Sequence, residues 1–300
     1  MRTTSLLGAG AVLACSGSLV AQGDVGRRLL ERLPVLEGRV TTYYAGVSSA
    51  QAAQTQTLIQ DATETYAATT GASLVVELAL VGADEWRILH QHQSQPQPYT
   101  HFITSVRPGP PFIIWIPTGR GHALDNLVQP LARDSGMADA LGLRPDQIAD
   151  RFTRLLALHE IGHFYARGAF PNLTTDPAAW WLGEFAASYL TTAFLAAHRH
   201  EDARLWQAVC AAAVKHLRPQ SAISGDLHAG QMADNYLVYL GRLQQRIDDV
   251  RRKHGDSFVS SVRAGWTEHD PAAASVRAMQ IVERASPGFT AWVGAHHRGS

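Results

Sequence analysis

The run Leu155-Leu156-Ala157-Leu158-His159-Glu160-Ile161-Gly162-His163-Phe164 carries the side chains best suited to chemistry. It contains the pattern H-E-x-x-H. On a helix, positions i and i+4 share one face, so His159 and His163 can aim two imidazoles at one metal ion. Glu160 lies about 100° round the helix from His159. That angle takes it out of the ligand arc and leaves it within reach of a water held by the same ion. Zn²⁺ suits two imidazole nitrogens, at roughly 2.0–2.1 Å, and a catalytic zinc site needs a third protein ligand and one open position. The sequence allows such a ligand. Trp180-Trp181-Leu182-Gly183-Glu184-Phe185-Ala186-Ala187-Ser188-Tyr189 opens a second apolar, helix-like run. The segment before it, with Pro171, Asn172, Asp176 and Pro177, reads as the returning loop. Two helices packed side by side would bring Glu184 to the histidines, a His₂Glu set for one zinc per chain. H-E-x-x-H alone is a short pattern in a chain with 14 histidines. The helical context, Gly168 as a helix stop and the Glu184 run give it weight.

HEIGH followed by W-L-x-E-x-x-A resembles the gluzincin metallopeptidases, the group that includes thermolysin and the M1 aminopeptidases. WLGEFAASY looks most like the M1-type, peptidase MA-like branch, and the motif match covers residues 150–190. The resemblance implies that His159, His163 and Glu184 bind zinc and that Glu160 is the general base. It also implies a tyrosine near the start of a later helix, donating to the oxyanion. Asp234-Asn235-Tyr236-Leu237-Val238-Tyr239-Leu240-Gly241 is the matching region, ahead of Gly255-Asp256-Ser257-Phe258, which resembles the family's G-D-x-x-F. Tyr236 suits the helix start, just inside an Asp234 cap. Tyr239 suits the distance to Gly255, so both are candidates. His228 is a further candidate by analogy with thermolysin. The chain departs from the family at one place. Thermolysin-like members carry an Asp four residues after the ligand Glu, and Ser188 stands there. The aminopeptidase G-x-M-E-N stretch, which holds a free substrate amine, is missing.

These implications amount to a zinc metallopeptidase that hydrolyses peptide bonds in peptide or protein substrates. Two alternatives stay open: a catalytically inactive binding protein on a gluzincin scaffold, and a zinc hydrolase of a non-peptide substrate.

The elements that must position these residues follow from the rest of the chain. Apolar residues make up 46% and charged residues 17%, an ordinary globular balance. Lys+Arg and Asp+Glu are equal at 26 each, and there is no basic tail, so nothing points to nucleic acid. Arg2 and the short apolar stretch from Leu6 to Ala14 read as an export signal over residues 1–22, too short to span a bilayer. Cleavage after Leu19-Val20-Ala21 would release the chain; Val12-Leu13-Ala14-Cys15 reads alternatively as a lipobox with Cys15 as a lipid anchor. Either way the product is exported: periplasmic, extracellular or anchored at a bacterial envelope. Cys210 then has no disulfide partner, and a buried structural thiol is the expectation.

A lead-in helix is expected over 24–37, a strand over 39–44, a helix from Ala50 to Thr69 capped by Ser49 and stopped by Gly71, and a strand from Ser73 to Val81. His90 and His92 sit in a Gln/Pro-rich stretch and read as exposed loop residues. Phe112 to Ile116 reads as a strand. It is either an interior strand or, as the resemblance implies, an edge strand that pairs with substrate backbone. Gly119 to Gly142 reads as loop and short helix. Arg144-Pro145-Asp146 opens the metal helix, with Pro in its first turn. Further helices are expected over 184–198, 201–217, 234–253, 256–264 and 272–284. The fold class is α+β, with a small mixed sheet on the N-terminal side and a mainly helical C-terminal half, zincin-like by resemblance. Residues 23–300 read as one unit, its α/β part over 39–145 and its metal helix and helical part over 146–300.

Overall fold

The computed structural model of the chain describes residues 25–90, 103–104, 111–170, 180–218, 233–266 and 271–296. The export segment with Cys15, His92 and His228 lie outside the described residues, as does the side chain of His90. The fold is a small mixed sheet near the N-terminus followed by a mostly helical remainder, an α+β layout.

Among the described residues helix α1 covers 25–30 and ends sooner than expected. Pro34 lacks an N–H and forces Leu33 out of the helical region, and the chain enters strand β1 (Val35–Leu36) and then β2 (Thr41–Tyr44). Helix α2 (Ser49–Thr70) starts one residue earlier than expected. Its cap is Ser48, whose Oγ accepts from the Gln51 N–H at 3.3 Å while the Gln51 Oε1 accepts from the Ser48 N–H at 3.1 Å. That reciprocal pair satisfies two helix-start donors. Gly71 stops the helix at φ 66°, a left-handed conformation that glycine adopts without cost.

Strand β3 (Val76–Val81), helix α3 (Ala83–His90), strand β4 (Ile103–Thr104) and strand β5 (Phe112–Pro117) complete the sheet, in the order β1-β2-β3-β5-β4. The three central strands are parallel, and β1 and β4 run antiparallel at the two edges. Strand β5 is therefore an interior strand. It pairs along its whole length with β3, and Ile114 and Trp115 pair with β4 on the other side. Side chains alternate across it: Ile114 and Ile116 enter the main core, while Trp115 packs with Leu29, Leu30, Trp86 and Leu89 on the opposite face. Both faces are covered, as interior parallel strands require.

From Gly119 to Gly142 the chain is more helical than expected, with α4 (Ala123–Asp134) and α5 (Met137–Leu141). Pro130 lies inside α4. Helix α6 (Pro145–Ala169) follows and runs through the centre of the molecule. Phe152, Leu155, Leu156, Leu158, Ile161, Phe164 and Tyr165 are all buried, so its apolar surface wraps nearly all round. Gly168 does not stop it. The helix continues to Ala169, and the absent β-carbon gives room to Ala72, whose Cβ would stand 2.7 Å from one built on the glycine.

Helix α6 packs against α2, α4, β5, α7 (Trp180–His198) and α8 (His200–His216), and α9 (Ala233–His254) packs on α7 and α8. A 3₁₀ turn (Gly255–Ser257), α10 (Phe258–Ala264), α11 (Pro271–Ala285) and α12 (Phe289–His296) close the chain; α12 was not expected. Cys210 is buried in α8, and burial pushes its thiol pKa well up. Among the described residues no helix is long and apolar enough to cross a membrane.

A candidate metal centre between α6 and α7

Helices α6 and α7 meet at a glycine. A β-carbon on Gly162 would stand 2.8 Å from the Ala187 Cα and 2.9 Å from its carbonyl oxygen, so only glycine permits this approach. The contact brings one face of α7, with Glu184 and Ser188 one turn apart, against the face of α6 that carries His159 and His163. Tyr66 of α2 reinforces the crossing. Its hydroxyl lies 3.4 Å from the Leu158 carbonyl oxygen and 3.2 Å from the Thr191 hydroxyl, touching both helices.

The result is a compact donor set. His159 Nε2 and His163 Nε2 lie 3.0 Å apart, with the two rings nearly perpendicular. Glu184 Oε2 is 3.3 Å from His159 Nε2, and Glu184 Oε1 is 3.5 Å from His163 Nε2. One ligand atom from each residue lies within 4.8 Å of the others, and this group could hold a metal ion. The edges fit zinc. Tetrahedral bonds of 2.0–2.1 Å separate ligand atoms by ~3.3 Å, and the observed edges of 3.0, 3.3 and 3.5 Å bracket that value. His159 is wholly buried, while His163 and Glu184 are 18% and 19% exposed, which leaves an open side.

The remote nitrogen of His159 is also held. Ser188 Oγ lies 3.0 Å from His159 Nδ1, and Ser188 is fully buried. The residue four places after Glu184 therefore contacts His159, one of the candidate ligands. The substitution is visible in the sequence; the contact exists only in the fold. The signal was the four-residue spacing from Glu184, which puts both side chains on one face of α7.

Glu160 is half-buried on the neighbouring face of α6. Burial is the main force on its carboxyl group and pushes its pKa up to about 7. His159 lowers it, the Glu184 carboxylate raises it, and Tyr236 and Arg167 lower it. Arg167 is exposed, one turn beyond His163 on the same helix face.

Tyr236 stands over the site from α9. Its ring is 6.3 Å from the His159 ring, and its buried hydroxyl makes no regular hydrogen bond but lies close enough to Glu160 to lower that carboxyl's pKa. Burial and the two nearby carboxylates, Glu160 and Glu184, raise the phenol well above its ordinary value. Tyr239, one turn on, stacks on Trp292 at 5.6 Å, and burial, followed by the Glu184 carboxylate, raises its phenol well above its ordinary value. The structure thus brings His159, Glu160, His163, Glu184 and Tyr236 together and gives Tyr239 a packing partner. Comparison with protein-family models, with curated proteins and with solved structures finds no match for this chain.

Proposed function

We propose that the chain is an exported zinc metallopeptidase with a gluzincin-type site on a zincin-like fold. The observation that carries this reading is the convergence of His159 Nε2, His163 Nε2 and the Glu184 carboxylate beside a half-buried Glu160. The apolar segment after Arg2 supports export.

His159, His163 and Glu184 would hold the ion. Bound there, zinc supplies Lewis acidity that polarises the scissile carbonyl and acidifies a water. Glu160 is the proton carrier. Burial draws the pKa of its carboxyl upward, to about 7 in the chain without an ion, and a carboxylate so placed can accept a proton from the attacking water and give it back. Its Oε atoms then deliver that proton to the leaving amine. Tyr236 keeps its phenolic proton, because burial and two carboxylates oppose ionisation. It is therefore a donor for the carbonyl oxygen as negative charge develops, a contribution worth about 3–4 kcal/mol where such donors have been removed.

The test is turnover of a mixed peptide library by the zinc-loaded chain, with Glu160→Gln alongside. The wild type should cleave internal bonds. The variant should keep its zinc and lose cleavage. No cleavage by fully loaded wild type would remove the peptidase reading, and undiminished cleavage by the variant would remove Glu160 from its role.

A further inference from the structure

Three features decide what Ser188 does. It is fully buried, its Oγ is 3.0 Å from His159 Nδ1, and it lies one turn after Glu184 on the same face of α7. His159 is itself 0% exposed, so water does not compete for Nδ1. An imidazole ligates through one nitrogen only if that nitrogen carries no proton, and the hydrogen bond made by the other nitrogen sets which form is present. Nε2 of His159 faces His163 and Glu184. Nδ1 must then carry the proton, and among the described residues the oxygen placed to accept it is Ser188 Oγ.

We infer that Ser188 is a positioning residue for the metal centre: its hydroxyl accepts the His159 Nδ1–H and so fixes the ring with its Nε2 lone pair aimed at the ion. This rests on the zinc reading above. A neutral hydroxyl replaces the carboxylate that usually backs such a histidine. It orients the ring without adding charge, so Ser188 supports the ligand by geometry alone. One helix thereby supplies both a ligand, Glu184, and the support for the ligand opposite it. Gly162 makes this possible, because the close approach of Ala187 places Ser188 within hydrogen-bond distance of His159.

The test uses the full chain loaded with zinc, in wild type, Ser188→Ala and Ser188→Cys. The cysteine variant keeps the volume but is a poor acceptor, so it separates hydrogen bonding from packing and serves if the alanine variant does not fold. Two quantities are read: the zinc dissociation constant by chelator competition, and the proton resonance of the His159 Nδ1–H by NMR. Both variants should bind zinc 10- to 100-fold more weakly, the usual cost of losing such a partner. The Nδ1–H resonance, slow to exchange in wild type, should shift upfield or be lost. A merely structural serine would lower the melting temperature and leave that resonance in place. Affinity within twofold of wild type and an unchanged resonance in either variant would overturn the inference and leave the zinc reading intact. No zinc bound by the wild type would overturn both.

Discussion

Gly162 and Ala187 are in backbone contact: a β-carbon on the glycine would lie 2.8 Å from the alanine Cα. The geometry of the candidate ligand set depends on that contact, because it sets how near Glu184 comes to the histidines. Gly162→Ala must push α7 away. The expected cost is about 1–3 kcal/mol of stability, the usual range for overpacking a core. Zinc affinity should fall with it, although no ligand is changed. Thermal melts and chelator competition on the same variant check this. Unchanged zinc affinity would show that the crossing does not govern the site.

The Glu160 carboxyl gives a pH signature in the zinc-free chain. Its pKa rises from 4.5 in the unfolded chain to about 7 in the fold, chiefly through burial. Between those values the folded chain holds a proton that the unfolded chain has released. This contribution is therefore fully present below the unfolded value and is lost as pH rises through the folded one. Glu160→Gln cannot ionise, so it should gain stability relative to wild type on going from about pH 5 to pH 8. The gain should reach at most about 3 kcal/mol. Urea melts at the two pH values decide it, and an equal difference at both would contradict the burial of this carboxyl.

Tyr236 and Tyr239 should separate cleanly by mutation. The Tyr236 hydroxyl stands by Glu160, whereas the Tyr239 ring stacks on Trp292. Tyr236→Phe should retain zinc and lower kcat about 100- to 1000-fold, as loss of a single oxyanion donor does. Tyr239→Phe should change kcat little. The reverse pattern in steady-state kinetics would transfer the donor role to Tyr239.

Much of this was legible in the chain because it is local. His159 and His163 share a face by spacing alone, and the apolar runs of α6 and α7 are long enough for periodicity to show. Glu184 was legible as a candidate because a loop and a second apolar run follow the histidines, but its approach to them depends on Gly162, whose role is tertiary. Ser188 looked like a missing aspartate, since only the fold shows what its hydroxyl touches. Helix α4 was under-read because Gly119, Gly121, Pro130 and Gly136 all look like breaks. Two of these glycines flank the helix, and His122 caps it by accepting from the Asp125 N–H. The interior place of β5 was undecidable from its own residues, because an apolar run reads alike at the edge and at the centre until its neighbours are known.

The central claim is that His159, His163 and Glu184 form one zinc site. The most direct test is the metal content of the purified chain from residue 23, by plasma emission, for wild type and Glu184→Ala after identical loading. The account predicts about one zinc per wild-type chain and its loss from the variant. A wild type that stays empty after reloading, or a variant that keeps full occupancy, would contradict it.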